Sequence, residues 1–163
     1  MILAHATCTC KRCGRTFERE SRWWNDQKAR EWVEWAEKNI TLCPECRCDD
    51  YVAGAAKLAR EASAIGLPAL QGSAKQITWA EYIRAELLES AEEYLKDNWN
   101  MTSMLDDAAI KERNEKVLHA LGQILVQVRL EPSAAWWIGH RRSDGAQLLR
   151  SVYQEHHPEE MQL

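Results

Sequence analysis

Four cysteines in two closely spaced pairs are the residues of this sequence best suited to chemistry. The pairs share the spacing C-x2-C, and their members are Cys10, Cys13, Cys43 and Cys46. A two-residue gap lets both thiolates of a pair reach one ion, and two pairs supply the closed tetrahedral sulfur set of a structural Zn²⁺ site. Gly14 suits the tight turn behind the first pair, and Pro44 presets the turn of the second. The spacing therefore predicts one Zn²⁺ ion bound by these four cysteines.

Cys8 and Cys48 flank the two pairs, so that the six cysteines follow the pattern C-x-C-x2-C and then C-x2-C-x-C. The spacing leaves three roles open for these two residues: spare thiols, substitute ligands or a redox pair. The first residues, MILAHATC, are not typical of a secretory signal, so we expect a cytoplasmic protein. A reducing cytoplasm favours metal ligands over disulfides. Unliganded buried thiols are the alternative to the zinc site.

The sequence offers no motif for a catalytic site. A His-Asn-His nuclease needs histidine between or beside its cysteine pairs, but none lies between Cys13 and Cys43, and His5 has no evident partner. A zinc deaminase has H-x-E before P-C-x2-C, whereas the H-x-E of this chain, at residues 157–159, follows every cysteine. Glycine motifs of phosphate-binding loops, serine hydrolases and dinucleotide-binding domains are missing as well. We therefore expect a protein that is not an enzyme.

A basic run beside two tryptophans is a second candidate site. It consists of Lys11, Arg12, Arg15, Arg19, Arg22, Trp23 and Trp24. Basic side chains next to aromatic rings can hold a nucleic-acid backbone and stack a base. The alternative is an ordinary solvated surface with tryptophan packed over the zinc site. The formal net charge of -4 provides no global attraction for nucleic acid.

Hydrophobic periodicity predicts a mainly α protein that must position these residues. An N-terminal zinc-ribbon-like module, residues 1–50, contains a helical insert over 18–38, and an α-helical domain occupies 51–163. The helices expected in that domain lie at about 50–65, 74–98, 104–130, 133–137 and 145–154. One helix carries an apolar stripe that we expect to face inward, made of Ile110, Val117, Leu121, Ile124, Leu125 and Val128. Acidic residues dominate over 86–116, which predicts either a solvated helix face or a face that docks into a basic partner groove.

Two segments carry a resemblance to known proteins. LPALQGSAKQITWAEYIR at 67–84 and SAAWWIGHRR at 133–142 resemble the L-x-G-S-x-K-Q-I-x-W-A-x-x-I-R and W-W-I-D-N-R-like segments of a family of small, mostly uncharacterised bacterial, phage and mobile-element proteins. Gly139 and His140 replace the Asp-Asn pair of that family. The resemblance implies a helical fold and a mobile-element origin, and it implies no particular reaction. The matched positions define a family-motif cluster of Lys75, Gln76, Trp79, Arg84, Trp137 and Arg141. These side chains either pack the helices together or line a shared groove.

These observations predict a non-catalytic zinc-binding protein that contacts a macromolecule in the cytoplasm of a bacterial host. Given the mobile-element origin that the resemblance implies, the expected partner is a protein complex. The most specific hypothesis is an inhibitor of a host defence complex of the CRISPR-Cas kind. The alternative is a zinc-dependent DNA- or RNA-binding regulator that uses the basic run. No stretch approaches the roughly 18 apolar residues of a membrane span, so we expect no membrane partner.

Overall fold

The computed structural model describes residues 1–156, and this part of the chain is mainly α-helical, as the sequence predicts. One two-stranded sheet is followed by six helices within these residues. The elements are β1 (Ile2–Thr9), β2 (Thr16–Trp23), α1 (Asp26–Asn39), α2 (Pro44–Ala64), α3 (Ala74–Ser103), α4 (Ala108–Arg129), α5 (Ala134–Gly139) and α6 (Gly145–His156). No helix in the described range is both long and apolar enough to cross a membrane.

The chain divides into two compact units. The first is Met1–Gly54 and the second begins at Ala55. The division falls inside α2, four residues beyond the boundary at residue 50 that the sequence predicts. Each unit has its own buried core, so each is described by itself.

In the first unit, α1 packs against one face of an antiparallel hairpin. β1 and β2 pair with Ile2 opposite Trp23 and Thr9 opposite Thr16. Alternate side chains of β1 are buried, because successive residues of a strand point to opposite faces. The buried residues there are small, which lets Ala36 of α1 approach closely. The resulting core contains Ala6, Cys8 and Ala36, with Phe17, Trp32, Val33 and Ile40 at its edge.

The helix predicted over 18–38 is wrong in its first part. Residues 18–23 belong to β2, and α1 begins at Asp26, where the side chain of Asn25 accepts a hydrogen bond from the backbone N–H of Lys28 at 2.8 Å. The backbone groups of this segment are satisfied by pairing with β1, and this tertiary partner overrides the weak local preference. The predicted helices at 50–65 and 104–130 also shift, since α2 begins at Pro44 and α4 at Ala108.

In the second unit, α3, α4, α5 and α6 surround one core. Its fully buried residues include Trp137, Leu148 and Leu149. A capping box stands at the start of α3: Gln76 N–H donates to Ser73 Oγ at 3.3 Å, and Ser73 N–H donates to Gln76 Oε1 at 3.0 Å. These bonds fix where α3 starts, because they satisfy backbone donors that have no partner inside the helix.

The apolar stripe of α4 is buried over only part of its length. Leu121, Ile124, Leu125 and Val128 belong to the core, as predicted. Ile110 and Val117 are 51% and 52% exposed, so the prediction that they face inward is wrong. Ile110 and Val117 instead line an open cavity whose described walls come from α3 and α4.

Candidate metal centre

The structure brings the four cysteines of the two C-x2-C pairs together. The Sγ atoms of Cys10, Cys13, Cys43 and Cys46 all lie within 4.8 Å of one another. Cys13 Sγ and Cys43 Sγ are 3.8 Å apart, far beyond a disulfide bond, and all six cysteines are free. Sulfurs bound about 2.3 Å from a tetrahedral zinc ion are about 3.8 Å from each other. The group can therefore hold a metal ion of that size.

The first pair lies in the turn that joins β1 to β2. Gly14 N–H donates to Cys10 O at 2.9 Å, and Cys10 N–H donates to Arg15 O at 2.9 Å, which closes the turn. Gly14 has a φ of 75°, a left-handed conformation that glycine adopts without a steric penalty. Lys11 N–H also donates to Thr41 O at 2.8 Å, so the turn is tied to the residues just before the second pair.

The second pair lies at the start of a helix, where the sequence predicts only a turn. Pro44 is the first residue of α2, a position that suits proline because its missing N–H would have no helical partner. Cys43 precedes the helix and Cys46 lies on its first turn, where Arg47 N–H donates to Cys43 O at 2.9 Å. The partial positive charge of a helix N-terminus stabilises thiolates. The module thus combines one cysteine pair in a hairpin turn with a second cysteine pair at the N-terminus of a helix.

The four thiols are buried to different degrees. Cys10 and Cys43 are each 1% exposed and Cys46 is also buried, whereas Cys13 lies at the surface. Phe17 packs against the cysteines and also against the sheet–helix core, so it connects the two clusters of the first unit.

The electrostatics of the group favour a bound cation. Backbone N–H groups of Cys43, Cys13 and Arg12 point at Cys10 and lower its pKa to about 6. By contrast, the hydrogen bond with the Cys43 thiol, together with burial, raises the pKa of Cys46 to about 12. Adjacent thiolates repel one another, so the four sulfurs cannot all be negative without a compensating charge. A divalent cation supplies that charge.

Cys8 and Cys48 are not part of this group. Cys8 is buried in the sheet–helix core, where burial raises its pKa and its thiol donates to Ala36 O at 3.6 Å. Cys48 is exposed on α2. Since both are free, the structure contains no disulfide between them, and Cys8 acts as a small packing residue.

The basic run does not form a single surface. Arg12 donates to the carboxylate of Asp50 and to Cys46 O, and Arg15 lies 3.5 Å from a carboxylate oxygen of Glu45. These two arginines therefore have acidic partners on α2. The sequence shows both acids, but their pairing depends on the two cysteine pairs meeting, which a linear pattern does not reveal.

The rest of the basic run is spread along β2. Arg19 is opposite the buried Ala6 and Arg22 is opposite the exposed Leu3, so the two arginines lie on opposite faces of the hairpin. Trp23 is half-buried and follows Thr16 by seven residues, about 24 Å along a strand at about 3.4 Å per residue. Trp24 is 83% exposed and Lys11 is also exposed. The seven residues are thus spread from one end of the hairpin to the other.

The family-motif cluster is brought together by packing of the two segments that carry it. Gln71 and Ser133 form a parallel bridge, in which Gln71 N–H donates to Pro132 O at 2.7 Å and Ala134 N–H donates to Gln71 O at 3.0 Å. Beside it, a Cβ on Gly72 would lie 3.1 Å from the Cβ of Ala134. The segments therefore touch through backbone, and the glycine permits the close approach.

Most side chains of this cluster have structural roles. Arg84 is buried between Glu81, at 2.7 Å, and Pro68 O, at 2.8 Å, and Trp137 is fully buried with Nε1 donating to Glu131 O. The guanidinium of Arg141 stacks over the Trp79 ring at 5.8 Å. Gln76 completes the capping box of α3, and Lys75 is exposed.

Comparison with protein families, with curated proteins and with solved structures finds no match to this chain.

Proposed function

We propose that this chain is a non-catalytic zinc-binding protein that works by contacting another macromolecule. The observation that carries the proposal is the closed set of four sulfurs within 4.8 Å of one another. Four protein ligands fill the tetrahedral coordination of Zn²⁺ and leave no position for water or substrate. An ion held in this way stabilises a fold and does not activate a reactant.

A structural role for zinc also fits the size of the first unit. The fully buried residues of its two small clusters are alanine and cysteine, and the larger apolar side chains packed against them are only partly buried. A unit of this size rarely folds on such a core without a bound metal or a disulfide. Structural zinc contributes on the order of 10–16 kcal/mol to the free energy of folding of small domains. Metal binding would therefore supply most of the stability of residues 1–54.

Exposed tryptophans in this unit support a macromolecular partner. Trp24 precedes α1 and Trp35 lies on it, and both rings are largely open to solvent. Tryptophan is enriched in binding hot spots because one ring buries a large area when a partner covers it. Both side chains belong to the first unit, whose fold bound zinc would stabilise.

A protein partner is favoured over nucleic acid. Arg12 and Arg15 already have acidic partners, and the formal net charge of the chain is -4. Phosphate backbones require free cations on one surface. The zinc-dependent nucleic-acid regulator stays the alternative.

The most specific version of the proposal is an inhibitor of a host defence complex, made by a phage or mobile element and acting in the bacterial cytoplasm. Support for it comes from the resemblance of the segments 67–84 and 133–142 and from the small size of the chain.

Elemental analysis of purified protein tests the metal. We expect one zinc per chain for the unmodified protein and for Cys48→Ser, whose thiol is exposed and outside the group. The variant Cys43→Ser removes a buried ligand and should lose the metal. Equal zinc content in both variants would remove the basis of the proposal.

Affinity purification of the tagged chain from a bacterial host carrying an active defence system tests the partner. Capture of subunits of that system, lost in Trp24→Ala or Trp35→Ala with zinc retained, supports the inhibitor. Nuclease-sensitive capture of nucleic acid that survives these substitutions and weakens with salt supports the alternative instead.

A further inference from the structure

A groove in the second unit runs between α3, α4 and α6. It consists of two cavities of ≈ 430 Å³ and ≈ 480 Å³ that share Tyr94 and Val117 in their walls. Arg150 of α6 lines the first cavity, and the second is lined by α3 and α4 alone among the described residues. The groove therefore continues past the point where α6 stops covering the helix pair.

The charge of this groove is opposite to that of its surroundings. Arg113, Lys116 and Arg150 line it, and none of its described lining residues is acidic. The segment 86–116, which provides much of α3 and α4, contains more than twice as many acidic as basic residues. Positive charge is thus concentrated in the concave part of an otherwise acidic helix pair, where it attracts anionic groups.

The floor of the groove is apolar. Ile110 and Val117 lie at helical spacing from the buried Leu121 and Val128 of α4, and yet they are about half exposed. Apolar side chains in phase with a core, but left open, are typical of a surface that a partner covers.

The cations of the groove are placed to receive carboxylates. Arg150 donates to Tyr94 Oη at 3.1 Å and lies 5.7 Å from the centre of that ring, so its position is fixed. Lys116 pairs with Glu112 at 2.7 Å, but both side chains are highly exposed. An exposed ion pair of this kind contributes little to the stability of the fold, so a carboxylate of a partner can replace Glu112 as the partner of Lys116.

We propose that this groove binds an acidic amphipathic segment of a partner protein. Apolar side chains of the segment would pack on Ile110 and Val117, and its carboxylates would bind Arg113, Lys116 and Arg150. The inference rests on the proposed function and deepens it by naming the chemistry of the partner. A protein segment fits better than nucleic acid because the floor of the groove is apolar, and a sugar–phosphate backbone offers no apolar side chains to cover Ile110 and Val117.

Fluorescence anisotropy with the zinc-loaded full chain tests this inference. The probe is a labelled peptide with leucine at helical spacing and glutamate elsewhere, and its comparison peptide has lysine in place of glutamate. The glutamate peptide should bind and the lysine peptide should not. The double variant Arg113→Gln with Lys116→Gln should weaken binding about tenfold, because rim charges act mainly through electrostatic attraction.

A matched control removes the same charge elsewhere on the second unit. Arg60 and Lys96 are exposed and line none of the described cavities, so Arg60→Gln with Lys96→Gln should change binding less than about twofold. Val117→Asp should weaken binding about tenfold, since it places a charge on the apolar floor.

Three results would overturn the proposal. The first is a failure of the glutamate peptide to bind, or an equal loss of its affinity in the groove variant and in the control variant. The second is displacement of the peptide by a single-stranded oligonucleotide. The third is light scattering that shows a dimer abolished by Val117→Asp, which would make a second copy the occupant. Zinc content measured on the same samples separates this inference from the proposed function. Stoichiometric zinc without peptide binding would reject the binding groove and leave the proposed zinc-binding function intact.

Discussion

At the scale of single residues, Arg84 shows how much the second unit depends on one buried charge. Its side chain is 2% exposed and its partner Glu81 is 4% exposed, with 2.7 Å between them. The same guanidinium donates to Pro68 O in the loop before α3. The pair therefore links the first turns of α3 to that loop, and removal of one partner leaves the other charged group buried and unpaired.

Arg84→Met should destabilise the protein strongly. We expect a loss of about 3–5 kcal/mol in the free energy of unfolding, because Glu81 would remain in the interior without a partner. Urea denaturation followed by circular dichroism measures this. The double variant Arg84→Met with Glu81→Leu should recover much of the loss. If Arg84→Met lowered the free energy of unfolding by less than about 1 kcal/mol, the ion pair would not be buried as described.

The six cysteines differ in how far their spacing reveals their roles. Spacing predicted which four thiols meet, because C-x2-C imposes a local geometry on each pair. It left open the roles of Cys8 and Cys48, since a thiol in a sheet–helix core and a thiol on a helix surface have the same appearance in a linear pattern.

At the scale of elements, the long helices were predictable and the hairpin was not. The period of Ile83, Leu87 and Ala91 indicates α3, and Ser73 with Gln76 marks its start. β2 has charged residues on both faces, so it lacks the period-2 apolar signal, and its strand structure comes from pairing with β1. The extent of burial along α4 also depends on where α6 packs, which the sequence of α4 does not contain.

Gly145 determines how closely α6 approaches α3. A Cβ at this residue would lie 2.1 Å from Ala91 N and 2.4 Å from Ser90 C, which are backbone atoms that cannot move aside alone. Gly145→Ala should therefore displace the start of α6 and cost about 1–3 kcal/mol or more. Thermal unfolding measures the effect.

Gly122 provides the matched control for that experiment. It lies in the interior of α4, and a Cβ there would meet nothing within 4 Å. Gly122→Ala should raise the free energy of unfolding by about 0.5–1 kcal/mol through helix propensity alone. Equal effects of the two substitutions would contradict the close packing of α6 on α3.

At the scale of the whole molecule, two cores of different origin stabilise the two units. The second unit has a large core of leucine, isoleucine, valine and tryptophan. The first has two small clusters, one between the hairpin and α1 and one that contains three of the four thiols of the metal centre. Stability of the first unit should then depend on metal, and stability of the second should not.

Removal of metal should unfold one unit selectively. After treatment with a strong chelator, amide hydrogen exchange in β1, β2 and α1 should become fast, whereas the central amides of α3 and α4 should stay protected. Mass spectrometry of peptides from the full chain records both regions in one experiment. Loss of protection in all five of these helices and strands together, or in none, would contradict this division.

Substitution of cobalt for zinc is the sharpest test of whether the four cysteines share one ion, because the visible spectrum of bound Co²⁺ reports both its ligands and their geometry. Titration of Co²⁺ into metal-free protein should give the intense d–d absorption and thiolate charge-transfer band of a tetrahedral four-sulfur site. The signal should saturate at one equivalent and disappear when Zn²⁺ is added. A weak octahedral spectrum, or an unchanged signal in Cys10→Ser, would show that these four sulfurs do not share an ion.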